Sequence, residues 1–127
     1  MIPKFRAWLK EEKRMTDVHE MTFMDGEVYL ISDVTGFYAY EEFKLMQSTG
    51  LKDKTGKEIY EGDIVKYKAG CNTFTEEVTY DKNFAGFGVR DANANIIFTF
   101  GELAEDIDLH SLEAIGSIYE NPELLGE

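Results

Sequence analysis

Apolar and polar residues alternate along this chain in short runs, with a period of two far more often than the 3.6 of a helix. Lys4–Leu9 sets the pattern. Phe5, Ala7 and Leu9 fall on one side, and Lys4, Arg6 and Trp8 on the other, as in a strand with one buried face. Met21–Met24 and Glu27–Ile31 flank Asp25-Gly26. That dipeptide tolerates positive φ at both central positions of a type I′ turn, so the segment predicts a hairpin. Gly36 and the aromatic group Phe37, Tyr38 and Tyr40 follow. Glu41–Met46 suits a helical turn, although Phe43–Met46 reads equally well as a strand.

Asp53-Lys54-Thr55-Gly56 is a second turn signal, because Asp can bond its own downstream backbone and Gly supplies a left-handed position. Glu61-Gly62-Asp63 then forms a tight polar corner. Strands are predicted at Ile64–Lys68, Glu76–Tyr80, Gly86–Arg90, Ile96–Phe100 and about Leu112–Tyr119. Asn121-Pro122-Glu123 offers an N-cap, a proline at the first helical position and an acid in the first turn, which predicts a short C-terminal helical turn. The whole reads as mainly β: a small barrel or sandwich of about seven to nine short antiparallel strands. The core is expected to include Phe5, Ile64, Val89 and Ile118, with Tyr67 also turned inward.

Length and composition narrow the class. At 127 residues the chain has the size of one ordinary domain, here 1–127. Its 43% hydrophobic content is too high for a disordered segment. Cys71 is the single cysteine, so no internal disulfide can form, and a cytoplasmic setting is expected. No apolar run approaches the roughly 20 residues needed to span a bilayer, and no membrane association is expected. The formal charge is −12. Nine acidic residues follow Arg90, with no Lys or Arg among them. Phosphate backbones are held by clustered basic side chains, so duplex DNA is an unsuitable partner. The acidity serves solubility or faces a basic partner.

Three segments carry a family resemblance. They are Lys4-Phe5-Arg6-Ala7-Trp8, the run Met46–Lys66 (MQSTGLKDKTGKEIYEGDIVK), and Ile115-Gly116-Ser117-Ile118-Tyr119-Glu120-Asn121-Pro122-Glu123-Leu124. Together they resemble the YopX family over the whole chain. Ser48 departs from the pattern, where an aromatic is common, and so does Leu9, where an Asp often follows the Trp. The resemblance implies a small, largely β protein encoded by bacteriophages and prophages. It carries over no catalytic residue.

Read by itself, Gly62-Asp63 followed by Ile64-Val65 resembles the opening of an SH3-like barrel in the second half. Gly62 would allow a sharp corner, and Asp63 would tie the loop by accepting backbone N–H bonds. A ligand role for Asp63 is the alternative.

Candidate chemistry is sparse. Asp17, His19 and Glu20 lie close in sequence, but no ligand at metal spacing completes them. Glu105-Asp106-Ile107-Asp108 precedes His110 without the order of a calcium loop. Cys71 sits in a polar loop with no activating neighbour. Glu11-Glu12, Glu41-Glu42 and Glu76-Glu77 are adjacent pairs, and neighbours on a strand point to opposite faces. Gly86-Phe87-Gly88 reads as a twisted strand or bulge rather than a phosphate loop. No cofactor and no catalytic group are therefore expected. The exposed members of Phe37, Tyr38 and Tyr40 are the candidate partner surface. The expected function is binding of another protein, self-association that tightens as salt screens the charge, or both. A nucleic-acid-related module or an acidic mimic of DNA is the alternative.

Overall fold

Among residues 4–82, 85–91, 96–100 and 108–126, which the structure, a computed structural model, describes, the chain is built of twelve strands and two 3-10 turns. The fold is mainly β. The chain divides into two compact units, Met1–Ser48 and Thr49–Glu127.

In the first unit, β1 (Phe5–Leu9) lies between β2 (Arg14–Asp17) and the start of β6 (Phe43–Lys52), all antiparallel. β3 (Glu20–Met24), β4 (Glu27–Asp33) and β5 (Gly36–Ala39) form a separate antiparallel sheet. A 3-10 turn, Tyr40–Glu42, joins β5 to β6. Ala7, Leu9, Ile31 and Phe43 make the buried centre, with Val18, Met21, Val28, Tyr38 and Leu45 packed against it. The hairpin β3–β4 turns at Asp25-Gly26, where φ is 53° and 83°. Both central residues are left-handed, as a type I′ turn requires.

Val28 and Ile31 both contact this core although strict alternation would put them on opposite faces. The ladder explains it. Thr22 faces Leu30 and Phe23 faces Val28, so Tyr29 is an extra, unmatched residue. This β-bulge resets the alternation and turns Tyr29 outward.

In the second unit, β7 (Glu58–Tyr60) leads through Glu61-Gly62 to β8 (Asp63–Ala69). β8, β9 (Asn72–Asp81), β10 (Gly86–Asp91) and β11 (Ile96–Thr99) follow one another as an antiparallel meander, and β12 (Asp108–Ser117) returns to the other side of β8. Ile59, Val65, Tyr67, Val78, Val89, Phe100 and Leu112 form the core, with Phe87 and Ala114 against it.

Several expectations need correction. Phe5 and Ile118 are half-buried rather than core. Phe5 stands at the first position of β1, and Ile118 follows the last position of β12, so neither is enclosed by a strand on both sides. Val65 and Tyr67 share the core face of β8. Ile64, Val89 and Tyr67 are buried as expected, with Ile64 on the opposite parity from Val65 and Tyr67 and outside their cluster. The short strands β2 and β5 show no period of two in sequence: Arg14–Asp17 holds Met15 as its single apolar residue, and Phe37 and Tyr38 are adjacent aromatics.

Asn121 makes no side-chain cap on the closing 3-10 turn Pro122–Leu125. Its Oδ1 accepts the Ser117 N–H at 3.4 Å instead. The residue before a proline is steered away from helical geometry, which leaves Asn121 free to fold back. A Cβ at Gly116 would lie 2.5 Å from that Oδ1, so the close approach requires glycine there.

Candidate functional site

Two loops with the same letters, Asp-x-Thr-Gly, are built the same way. In Asp33-Val34-Thr35-Gly36, Asp33 Oδ1 accepts the Thr35 N–H at 2.7 Å, the Thr35 hydroxyl at 2.6 Å and the Gly36 N–H at 3.1 Å. In Asp53-Lys54-Thr55-Gly56, Asp53 Oδ1 accepts the Thr55 N–H at 2.9 Å, the Thr55 hydroxyl at 2.7 Å and the Lys57 N–H at 3.0 Å. Each loop folds around one carboxylate oxygen, the Asx-turn logic that favours Asp in turns.

The second oxygen then reaches a distant strand. Asp33 Oδ2 accepts the Thr16 hydroxyl at 2.7 Å and Arg14 Nη2 at 3.3 Å. Asp53 Oδ2 accepts the Ala114 N–H on β12 at 2.9 Å. Both carboxylates are buried. Burial alone would raise their pKa values, but the hydroxyl and amide donors outweigh it. Asp53 is brought down to about 2, and Asp33 is held well below the usual carboxylate range.

Arg14 closes the first hub. Its guanidinium donates to Glu12 at 2.8 Å, to the Thr35 hydroxyl at 3.0 Å and to the Tyr38 hydroxyl at 3.1 Å, besides Asp33. The Arg14 bond, joined by the Tyr38 hydroxyl, lowers the Glu12 pKa. Sequence reasoning missed this hub. The Asp33 loop carried the same letters as the Asp53 loop, but its partners Arg14 and Thr16 lie 19 and 17 residues away. The acceptors at both hubs are committed to donors that shape the fold, and neither hub presents a free carboxylate.

At the Gly62-Asp63 corner, Gly62 has φ 88°. Its N–H donates to the Val78 carbonyl at 2.9 Å, and its own carbonyl accepts the Ile118 N–H at 2.9 Å. Asp63 is buried and accepts the Tyr60 N–H at 2.8 Å. The pair anchors the turn from β7 into β8.

Strand alternation separates Phe37 from Tyr38, and Tyr40 lies beyond β5 in the 3-10 turn. Phe37 is 69% and Tyr40 54% exposed, whereas Tyr38 turns inward to the core and to Arg14. Around them the segment from Phe23 to Tyr40 also exposes Met24, Tyr29 and Val34. Tyr29 and Tyr40 pair with ring centroids 5.9 Å apart and planes 31° apart. A cleft of about 340 Å3 beside them is lined by Met24, Asp25, Glu27, Val28, Tyr29 and Tyr40. A hydrogen bond to Glu41 raises the Tyr40 pKa.

The remaining candidates lie apart. Asp17 and His19 are exposed, and Glu20 accepts the Ser32 hydroxyl at 3.3 Å. Among the described residues no three His, Cys, Asp or Glu side chains form a group able to hold a metal ion. Cys71 is exposed in the turn between β8 and β9. Glu76 is buried and accepts the Tyr67 hydroxyl. Glu77 stands opposite Arg90, and desolvation raises its pKa. The run Glu105–Asp108 and His110 lie outside the residues whose side chains the structure describes. Among the described residues no helix is long and apolar enough to cross a membrane.

No curated protein matches this chain. Among solved structures, the crystal structure of protein EF1440 from Enterococcus faecalis is similar. It is 31% identical, with a TM-score of 0.70, over 98% of this chain and 99% of that one. The YopX protein family matches residues 4–126, which takes in both units and both Asp-x-Thr-Gly loops. This chain belongs to the YopX family.

Proposed function

We propose that this chain is a non-enzymatic phage or prophage accessory protein of the cytoplasm that binds another protein through the β3–β4–β5 sheet. The observation that carries this reading is the distribution of exposed apolar side chains. Among the described residues, six of the ten large exposed hydrophobics fall between Phe23 and Tyr40. Scattered single apolar residues need no explanation, but a concentration on β3, β4, β5 and the turns after β4 and β5 supports an interaction surface there. The aromatic content of the group fits a protein interface, where Tyr and Phe are enriched.

The strongly shifted carboxylates support the non-enzymatic reading, because Asp33 and Asp53 spend their oxygens on loop and strand donors. The meander β8–β11, with β12 returning beside β8, supports reading the second unit as SH3-like. A net charge of −12 weighs against duplex DNA and against a second copy at low salt.

Affinity capture from the host cell tests the proposal. The wild-type chain should retain a partner that Phe37→Ser, combined with Phe23→Ser, loses while still folding. A partner held equally by both, or light scattering that shows only self-association, would move the interface elsewhere.

A further inference from the structure

We infer that the Tyr29–Tyr40 cleft takes an arginine side chain of the partner protein, an inference that rests on the docking face proposed above. The lining has three kinds of group. Tyr29 and Tyr40 offer aromatic faces, Met24 and Val28 offer apolar walls, and Asp25 and Glu27 offer carboxylates. No Lys or Arg is among these residues. Aromatic faces beside acids select a cation that is planar and weakly hydrated, which describes guanidinium better than ammonium.

The cleft is large enough for one long side chain. Its volume of about 340 Å3 lies at the lower end of ligand sites, which run from about 300 to 1,000 Å3. The ring geometry fixes the mode of contact. Sandwiching a planar cation between two rings needs about 7 Å, two van der Waals contacts of about 3.5 Å. The centroids of Tyr29 and Tyr40 are only 5.9 Å apart. The rings therefore leave no room for a cation between them; tilted by 31°, the pair offers its outer side to the guanidinium, whose N–H groups turn to Asp25 and Glu27.

The backbone supports this ring pair in two ways. The bulge turns Tyr29 outward. The 3-10 turn that begins at Tyr40 is held by Glu42, whose carboxylate accepts the Ala39 N–H at 2.8 Å. Glu41, bonded to Tyr40, adds a further negative charge beside the ring.

The test is an NMR titration of the full chain with the peptide acetyl-Gly-Ser-Arg-Ser-Gly-amide, and with the same peptide carrying uncharged citrulline for Arg. The arginine peptide should shift the ring resonances of Tyr29 and Tyr40 and the methyl of Met24, with a dissociation constant in the millimolar range, and the citrulline peptide should not. Tyr40→Leu and Glu27→Gln are exposed substitutions that leave the fold intact, and each should weaken binding about two- to fivefold. Equal shifts with citrulline, or shifts spread over Glu11, Asp17 and other exposed acids, would overturn the inference. A partner affinity left unchanged by Tyr40→Leu and by Glu27→Gln would also overturn it and leave the docking face standing. Specific peptide binding without any Phe37-dependent capture would instead remove the docking reading and keep the arginine site.

Discussion

Replacing Asp53 by Asn is the most exacting test of how the second unit is held. Asn keeps an oxygen for the Thr55 and Lys57 donors. It places an NH2 group where Oδ2 now accepts the Ala114 N–H at 2.9 Å. Two donors then face each other, and a backbone N–H on β12 loses a charged acceptor. A hydrogen bond to a charged group contributes about 1.5–3 kcal/mol, so a loss of about 2–3 kcal/mol is expected near neutral pH.

The lowered pKa expresses the same bonds as a dependence on pH. The Asp53 pKa is lowered from 3.8 to about 2, and each unit corresponds to about 1.4 kcal/mol. Allowing for solvent screening, the carboxylate contributes about 1–2 kcal/mol through this linkage. The sign is fixed by the depressed folded value. The contribution is complete above the unfolded pKa of 3.8 and is lost as pH falls toward 2. The gap between wild type and Asp53→Asn should therefore narrow over that interval. Urea unfolding followed by far-UV circular dichroism at a series of pH values measures the gap, and amide exchange at Ala114 locates it. A gap below about 0.5 kcal/mol, or one of constant size from pH 7 to pH 2, would refute the hub.

Other substitutions separate the parts of the account. Ile59→Ala, at a fully buried position, should cost about 2–5 kcal/mol in chemical unfolding, and Phe5→Ala and Ile118→Ala should each cost less. Gly62→Ala forces an L-residue to φ 88° and should cost about 1–2 kcal/mol, measured by thermal melting; an unchanged melt would remove the corner from the account. Phe37→Ser should change stability by no more than about 0.5 kcal/mol while weakening partner capture, which the added Phe23→Ser should abolish.

The elements that could be read from sequence are those whose cause is local. Asp25-Gly26 predicts its own turn because both residues accept positive φ. The Asp53 loop is legible because three of its bonds close within four residues. The Asp33 loop has the same chemistry, but Asp33 ends the run Val28-Tyr29-Leu30-Ile31-Ser32, whose strand signal masks the turn. Arg14 could not be found this way. Its partners Asp33, Thr35 and Tyr38 come from β4, the following turn and β5, and no spacing rule joins them to β2.

The interaction surface is legible only in part. Alternation separates Phe37 from Tyr38 once β5 is known, but two adjacent aromatics after a glycine do not announce a strand. Tyr29 depends on the bulge, and a bulge is set by the cross-strand ladder rather than by composition. Its pairing with Tyr40 follows from that turn outward and from the 3-10 turn after β5.

Photocrosslinking shows whether a partner docks on the β3–β4–β5 segment. A benzophenone amino acid placed at Phe37, at Tyr40 or, as a control, at exposed Lys66 on β8 would be irradiated in the host cell, and the adducts resolved by mass. One discrete protein adduct is expected from Phe37 and from Tyr40, and none from Lys66. Adducts of equal yield from all three sites, or a discrete adduct from Lys66 alone, would contradict docking on that segment.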